Sequence, residues 1–127
     1  MPDVLGLWGT SRSAASVTPD TVEAVEALIA QQGSVLLLAT EGDEVIGTLV
    51  VGWDGWRGNM YRLAVRADHR RRGIALRLVA AGHEYLRSLG ARRITALVGV
   101  EEDEAAALWR AAGYEHDLRI DRFVLNL

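Results

Sequence analysis

Three consecutive arginines stand immediately before the clearest helical pattern in the chain. They are Arg70, Arg71 and Arg72, followed by Gly73, Ile74 and Ala75. A helix start presents free backbone N–H groups and the positive end of the helix dipole, so acidic residues are its usual neighbours. Arginines in this place, beside a glycine that lets the backbone approach a ligand, predict a phosphate or pyrophosphate site. The alternative is a solvated arginine cluster that merely follows a strand.

The segment before the arginines, Met60–Val65, reads as a short strand. The order strand, glycine turn, helix is the one in which α/β folds present a helix start to a ligand. Neither the dinucleotide fingerprint G-x-G-x-x-G nor the P-loop G-x-x-x-x-G-K-[ST] occurs in the chain. A different nucleotide-like ligand is therefore expected.

Composition narrows the functional classes. With 127 residues, the chain is expected to form one domain over residues 1–127. A net charge of −3 argues against nucleic acid or an anionic membrane as the main partner. The absence of cysteine excludes a cysteine nucleophile, and the three histidines lack ligand spacing, so no metal site is expected. No signal peptide or membrane-spanning stretch is recognisable, which predicts a cytoplasmic protein.

The hydrophobic periodicity predicts helices and strands in alternation. In chain order these are a helix capped by Thr18-Pro19-Asp20 and ending near Gln32, strands at Val35–Ala39, Val45–Val51 and Met60–Val65, a long helix ending at Gly90, a strand at Arg93–Val98, a helix ending at Gly113, and a last strand in the alternating tail Leu118–Leu125. The first three strands are expected to pair antiparallel. The helical crossover predicts that Met60–Val65 and Arg93–Val98 run parallel, and the tail is expected to return to the sheet.

Two motifs together resemble one known family. The pattern Leu63-Ala64-Val65-x4-Arg70-x-x-Gly73-x-Ala75 is followed by a helix, a strand and Ala105-x-x-Leu108-Trp109-x-x-x-Gly113-Tyr114. This arrangement resembles the GNAT family of N-acetyltransferases, from about Val35 to Tyr114, and looks most like its small bacterial members. The resemblance implies an α/β fold with a mixed, mostly antiparallel sheet. Helices would flank the sheet, which would splay between its two parallel strands.

The resemblance also implies an activity and a co-substrate. An amine of a small molecule or of a peptide N-terminus would attack acetyl-CoA directly, without an acyl-enzyme. Backbone groups of Leu63, Ala64 and Val65 would pair with the pantetheine arm, and the phosphates would lie at Arg70 to Ala75. The charge pattern independently predicts an anion at the same helix start.

The chain departs from the family pattern at the residues that would move protons. Relatives usually place a tyrosine at Trp109 as the acid for the thiolate, and an indole cannot take that role. Trp109 is expected to pack in the core or to line the pantetheine channel. A glutamate often serves as the base on the central strand, where this chain has Asn59 and Tyr61, suggesting a base relayed through water. The alternative is an acyl-CoA-binding module without efficient catalysis; a nucleic-acid binder that uses the arginines is a second rival.

Several residues keep more than one interpretation. Asp54 is expected to stabilise a turn, whereas Trp53 and Trp56 suit either an acceptor pocket or a dimer contact. Relatives begin with a strand, but this chain begins with a helical pattern at Pro2-Asp3-Val4. Val35–Ala39 is therefore expected to be a bare edge, and we hypothesise that a second subunit, in a homodimer, or residues Gly9–Val17 cover it.

Overall fold

A four-stranded sheet with helices on both faces forms the protein. A computed structural model describes residues 2–11, 21–98 and 103–127. Its elements are α1 (Pro2–Ser11), α2 (Val22–Ala30), β1 (Val35–Glu41), β2 (Glu44–Trp53), β3 (Gly58–Val65), α3 (Ile74–Ser88), β4 (Ile94–Ala96) and α4 (Asp103–Ala111). Among these helices, none has the length and apolar character needed to cross a membrane.

The sheet has the predicted order and directions. Its strands lie in the order β1-β2-β3-β4. The pairs β1–β2 and β2–β3 are antiparallel, and β3–β4 is parallel across the α3 crossover. The predicted mixed, mostly antiparallel sheet is therefore confirmed. β4 covers only Ile94–Ala96, so the strand predicted at Arg93–Val98 was too long.

The sheet is buried on both faces, which explains the nearly continuous apolar sequence of β2. Leu49 and Val51 of β2 pack with residues of α3 and α4 in one cluster. Val50 packs with residues of α1 and α2 in another. Gly82 lets α3 lie close to the sheet, because a Cβ there would stand 2.6 Å from the terminal methyl of Met60.

Helix boundaries agree with the sequence except at the start of α2. The Thr21 hydroxyl accepts the backbone N–H of Ala24 at 3.1 Å and caps this helix. The predicted cap Thr18-Pro19-Asp20 and most of Gly9–Val17 lie outside the described residues. Helices α3 and α4 both end just before a glycine with a left-handed φ, Gly90 at +93° and Gly113 at +98°. These are the two glycines predicted to end the helices.

The prediction that the tail returns to the sheet is wrong. Residues 115–127 contain no strand, and large apolar side chains there are exposed, Phe123 at 91%. A local turn competes with strand pairing at the base of the tail, since the Asp117 carboxylate accepts the backbone N–H of Arg119 at 3.1 Å. The same carboxylate pairs with Arg93, just before β4. Apolar and polar residues do alternate in Leu118–Leu125, but this alternation finds no partner strand within the described chain.

Candidate functional site

The two parallel strands touch only at their beginnings. Pairing joins Gly58, Asn59 and Met60 of β3 to Ile94, Thr95 and Ala96 of β4. Within the described ranges, no strand pairs with the outer edge of β3 beyond Met60. Backbone groups between Tyr61 and Val65 can therefore accept an extended ligand as an additional strand. The sheet is splayed where the family resemblance implied.

A bulge bends β3 at this open edge. Thr48 of β2 faces Ala64, whereas Val50 faces Tyr61, so Arg62 and Leu63 together oppose the single residue between them. Arg62 has a positive φ of 50°, which is uncommon outside glycine. Bulges re-aim backbone groups and are frequent beside active sites. Composition and periodicity gave no signal for this one.

Two hydrogen bonds hold the bulge from the α1 side. Trp8 donates its indole N–H to the Thr48 hydroxyl at 2.7 Å. Thr48 in turn donates its hydroxyl to the Arg62 carbonyl at 2.9 Å. Thr48 is completely buried, so its bond with Trp8 is shielded from water, and its bond to Arg62 is partly shielded. Helix α1 thereby fixes the shape of the open β3 edge.

The open edge leads along the chain to the start of α3. Gly73 precedes this helix at φ +76°, and no side chain of the described residues caps it. No acidic residue lies in its first turn. A Cβ on Gly73 would meet no atom within 4 Å, so the space before the helix is free. Backbone N–H groups without helical acceptors and a clear approach fit an anionic group such as a phosphate.

The three arginines have different surroundings. Arg70 donates from Nε to the Val65 carbonyl at 3.2 Å and braces the end of β3. Arg71 is exposed and has a positive φ of 66°. Arg72 is also exposed, with Nη1 3.7 Å from a carboxylate oxygen of Glu41. Arg71 and Arg72 therefore remain near the helix start with accessible guanidinium groups.

Sequence reasoning missed a buried histidine beneath this loop. His69 lies between the carboxylates of Asp68 and Glu41, with ring nitrogens at 2.7 and 3.2 Å from their oxygens. Asp68 and, next, Glu41 raise the pKa of His69. Arg66, followed by His69, holds the pKa of Asp68 well below its usual range. The only local signal was the adjacency of Asp68 and His69, because Glu41 comes from a distant strand.

Asn59 and Tyr61 lie on the opposite face of β3 from Met60, on the side of α1 and α2. They flank Met60, the last residue of β3 that pairs with β4, so the structure places both where the two parallel strands separate. Burial, with a smaller contribution from Asp54, raises the pKa of the Tyr61 hydroxyl. A phenol with a raised pKa stays neutral near pH 7 and can relay hydrogen bonds to water.

Trp109 lies in the core cluster of the α3 face and is 8% exposed. Its ring meets Tyr114 edge-on, with centroids 4.8 Å apart.

The Tyr114 oxygen lies 2.8 Å from Nε2 of His83 and 3.5 Å from the Met60 sulfur. Burial raises the pKa of the Tyr114 hydroxyl to about 12. His83 of α3 is partly buried and stacks on Tyr114. The 31-residue separation of this pair gave no sequence signal.

The turn between β2 and β3 behaves as predicted. The Asp54 carboxylate accepts the backbone N–H groups of Trp56 and Arg57 at 2.8 and 2.6 Å. Trp53 is partly buried against the core, whereas Trp56 is 74% exposed beneath the Arg57 guanidinium. The pocket and dimer interpretations therefore concern Trp56. Across the described residues, no cluster of three acidic or histidine side chains suits a metal ion.

Residues 6–114 match a family described as the acetyltransferase (GNAT) family. The chain belongs to the GNAT family. The resemblance drawn from the two sequence motifs is confirmed. Two features of the structure bear on the site that it implied, namely the open β3 edge and the uncapped α3 start. Both lie where the resemblance assigned the pantetheine arm and phosphates of acetyl-CoA.

Solved structures similar to this GNAT chain share its fold across nearly its whole length. An aminoglycoside 6′-N-acetyltransferase from Acinetobacter haemolyticus is 17% identical, with a TM-score of 0.79 and coverage of 99% of this chain and 92% of that chain. An aminoglycoside acetyltransferase from an uncultured soil metagenomic sample, in complex with sisomicin, is 17% identical, with a TM-score of 0.83 and coverage of 99% and 87%. Aminoglycoside N-acetyltransferase AAC(6′)-Iy, in complex with CoA, is 18% identical, with a TM-score of 0.81 and coverage of 99% and 88%.

Proposed function

We propose that residues 1–127 form one N-acetyltransferase domain that moves the acetyl group of acetyl-CoA to an amine. The observation that carries the proposal is the continuity of two features. The open edge of β3 ends at Val65, and the uncapped start of α3 follows at Gly73. One ligand with an extended amide arm and phosphates can use both.

We also propose a bacterial cytoplasmic setting, since acetyl-CoA is an intracellular metabolite and a named structural relative is bacterial.

The binding roles follow from the two features. Backbone groups of Leu63, Ala64 and Val65 would pair with the amide-containing arm. Arg70 would hold the end of β3 in place through its bond to the Val65 carbonyl. The phosphates would meet backbone N–H groups and guanidinium side chains at the helix start, which comprises Arg70, Arg71, Arg72, Gly73, Ile74 and Ala75. Trp109 would support the cleft from the core side.

The chemistry needs an amine that has lost its proton. The amine nitrogen forms a bond to the thioester carbonyl carbon, the carbon–sulfur bond breaks, and CoA leaves as a thiolate. Asn59 and Tyr61 would hold the water that takes the amine proton. Trp109 supplies no acid, but a thiol pKa of about 8.5 makes the thiolate a workable leaving group. One positioned acid is typically worth about 10²–10⁴-fold, so slow turnover is expected.

The acceptor is proposed only as an amine. Two structural relatives are aminoglycoside acetyltransferases, which makes aminoglycosides one arm of an acceptor panel. Small aliphatic amines and peptides with a free N-terminus form the other arms. Release of free CoA thiol, followed with a thiol reagent, reports turnover for every arm. Tight acetyl-CoA binding without thiol release in any arm would favour the non-catalytic module.

Calorimetric titration of acetyl-CoA and of CoA tests the binding site. Gly73→Glu puts a carboxylate and a side chain at the helix start, and we expect it to abolish binding of both. Gly90→Glu is the matched control, because Gly90 also has a left-handed φ and open space, but at the opposite end of α3. Equal loss in both variants, or no binding by the unchanged protein, would overturn the assignment.

We further propose that the protein is a homodimer in which the tail of each copy covers the β1 edge of the other. The exposed tail residues Leu118 and Phe123 need apolar cover. In the described part of the sheet, β1 has one free edge, beside a groove of about 530 Å³ that includes Leu37, Ile74 and Leu78. Two copies can satisfy both needs by one two-fold arrangement.

Light scattering tests the homodimer. Phe123→Asp should convert dimer to monomer because a buried carboxylate opposes the contact. Asn126→Asp adds the same charge to the tail without removing an apolar side chain and should leave the dimer intact. A monomeric unchanged protein would refute this part of the proposal without affecting acetyl-CoA binding.

A further inference from the structure

His69 connects the end of β1 to the loop that carries the arginines. Its Nδ1 lies 2.7 Å from Oδ1 of Asp68, and its Nε2 lies 3.2 Å from Oε1 of Glu41. The residue is 5% exposed, whereas both carboxylates reach the surface. Two acidic side chains therefore meet one buried imidazole from opposite sides.

This arrangement fixes the protonation of the ring. Ionised carboxylates only accept hydrogen bonds, and a neutral imidazole has one N–H to donate. Both contacts can be hydrogen bonds together only when His69 is an imidazolium. The direction of its pKa, which Asp68 and Glu41 raise, agrees with that geometry.

The ion-paired side chains around His69 carry equal numbers of positive and negative charges only with that proton in place. Arg66 binds Asp68 on one side and Glu44 of β2 on the other, both at 2.8 Å. The second oxygen of Glu41 faces Arg72 at 3.7 Å. The connected groups are the cations Arg66, His69 and Arg72 and the anions Glu41, Glu44 and Asp68; Arg70 binds the Val65 carbonyl nearby, and Arg77 of α3 lines the same groove as Glu41. Loss of the His69 proton leaves the six ion-paired groups with one excess negative charge, next to the additional cations Arg70, Arg71 and Arg77.

We propose that His69, as an imidazolium, is a positioning residue that binds one oxygen of Glu41 and so weakens the pairing of Glu41 with Arg72, which can then bind the phosphates of acetyl-CoA. This inference rests on the proposed function and assigns a control on the affinity of the same site. Without the His69 proton, Arg72 is the cation paired with Glu41, and Arg66 acts on that carboxylate more weakly. The carboxylate then competes with phosphate for the Arg72 guanidinium, and the site attracts the anionic ligand less strongly because it carries one positive charge fewer.

A pH dependence of binding follows from the position of Glu41. Affinity should be full while His69 is charged and should fall as pH rises through the pKa of its ring. Linkage requires the reciprocal effect, so bound ligand must raise the pKa of His69 further. An exposed ion pair sets the scale of the effect, which we expect to be about three- to fivefold in Kd.

Calorimetric titration of acetyl-CoA into the full chain between pH 6 and 9 tests the inference. The unchanged protein should lose about three- to fivefold in affinity across this range. His69→Gln should show the weaker affinity throughout, with a flat profile. His116→Gln is the matched control, since this exposed histidine lies beyond α4, and it should behave as the unchanged protein.

The double variant Glu41→Gln/His69→Gln separates positioning from loop damage. Removing the competing carboxylate should restore the affinity that His69→Gln loses, whereas a loop that has merely lost its packing would not recover. An unrestored affinity would overturn the inference.

Proton NMR of the unchanged protein gives a test that needs no stable variant. The chain has only three histidines, and the His69→Gln and His116→Gln spectra assign them. The His69 pKa should rise when CoA is added. A His69 pKa that CoA leaves unmoved, or equal acetyl-CoA affinity at all pH values, would refute the control by His69 while leaving the co-substrate site intact. Failure of the unchanged protein to bind at any pH would instead refute the proposed function, and the inference with it.

Discussion

The indole nitrogen of Trp8 and the hydroxyl of Thr48 are joined by a 2.7 Å hydrogen bond that links the first helix to the middle of the sheet. The Thr48 hydroxyl in turn donates a hydrogen bond to the carbonyl of Arg62, inside the β3 bulge. A residue near the start of the chain therefore shapes the strand that faces the cleft. Because the Trp8–Thr48 bond is buried, water cannot replace it without opening the core.

Thr48→Val should destabilise the protein and weaken acetyl-CoA binding together. The valine keeps the shape but removes the acceptor of the buried Trp8 N–H and one donor to the Arg62 carbonyl, and a buried unsatisfied group costs about 1–3 kcal/mol. Urea unfolding gives the stability change, and calorimetry of acetyl-CoA gives the affinity. Thr48→Ser keeps the hydroxyl and should retain most of the affinity. Normal binding by Thr48→Val would show that the bulge holds its shape without these bonds.

The sequence revealed local features and contiguous motifs. The arginines at the start of α3 could be recognised because a helix start with cations and no acids breaks an electrostatic rule within one short segment. The parallel placement of Met60–Val65 and Ile94 followed from the handedness of a helical crossover. Both inferences needed only neighbouring residues and general geometry.

Contacts between distant residues could not be predicted in the same way. The pairs His69–Glu41, Thr48–Arg62 and His83–Tyr114 join separate elements, and no spacing rule relates their positions. The prediction that the tail forms a strand was wrong for another reason. Alternation reports which side chains can share a face, but not whether a partner strand is available to the described chain.

Two glycine substitutions should have opposite effects on stability. Gly82→Ala places a Cβ 2.6 Å from the Met60 methyl and 3.2 Å from Val51, and we expect overpacking to cost about 1–2 kcal/mol. Gly6 of α1 is exposed, and a Cβ there would have no neighbour within 4 Å. Gly6→Ala should therefore stabilise the protein by about 1 kcal/mol through helix propensity. Urea unfolding measures both, and a stabilised Gly82→Ala would mean that α3 can move away from the sheet.

Two histidines predict opposite pH dependences of stability. Asp68 and then Glu41 raise the pKa of His69, so its contribution is complete below the ordinary value of 6.5 and is lost as pH rises through the raised pKa. Burial, and then Arg87, lowers the pKa of His83, so its contribution is complete above 6.5 and is lost as pH falls through the lowered pKa. Scanning calorimetry should show that His69→Gln removes the alkaline fall in Tm and His83→Gln removes the acid one. Variants whose Tm curves run parallel to that of the unchanged protein would contradict these assignments.

Position 109 tests whether the missing tyrosine limits catalysis. Trp109 is 8% exposed and packs in the core, so Trp109→Phe should cost about 1–2 kcal/mol of stability while leaving the rate per folded molecule unchanged. Trp56→Phe is the control, because Trp56 is 74% exposed and its replacement should leave stability unchanged.

Trp109→Tyr separates the hydroxyl from the packing. It removes a similar volume to Trp109→Phe but adds the group that relatives carry, and both variants should show the same kcat because the core position keeps the hydroxyl away from the cleft. Thiol release with an accepted amine, measured well below the unfolding temperature, gives the comparison. A kcat for Trp109→Tyr at least tenfold above that of Trp109→Phe would mean that residue 109 reaches the departing thiolate. The tryptophan would then be the cause of slow turnover, since a positioned acid is typically worth about 10²–10⁴-fold.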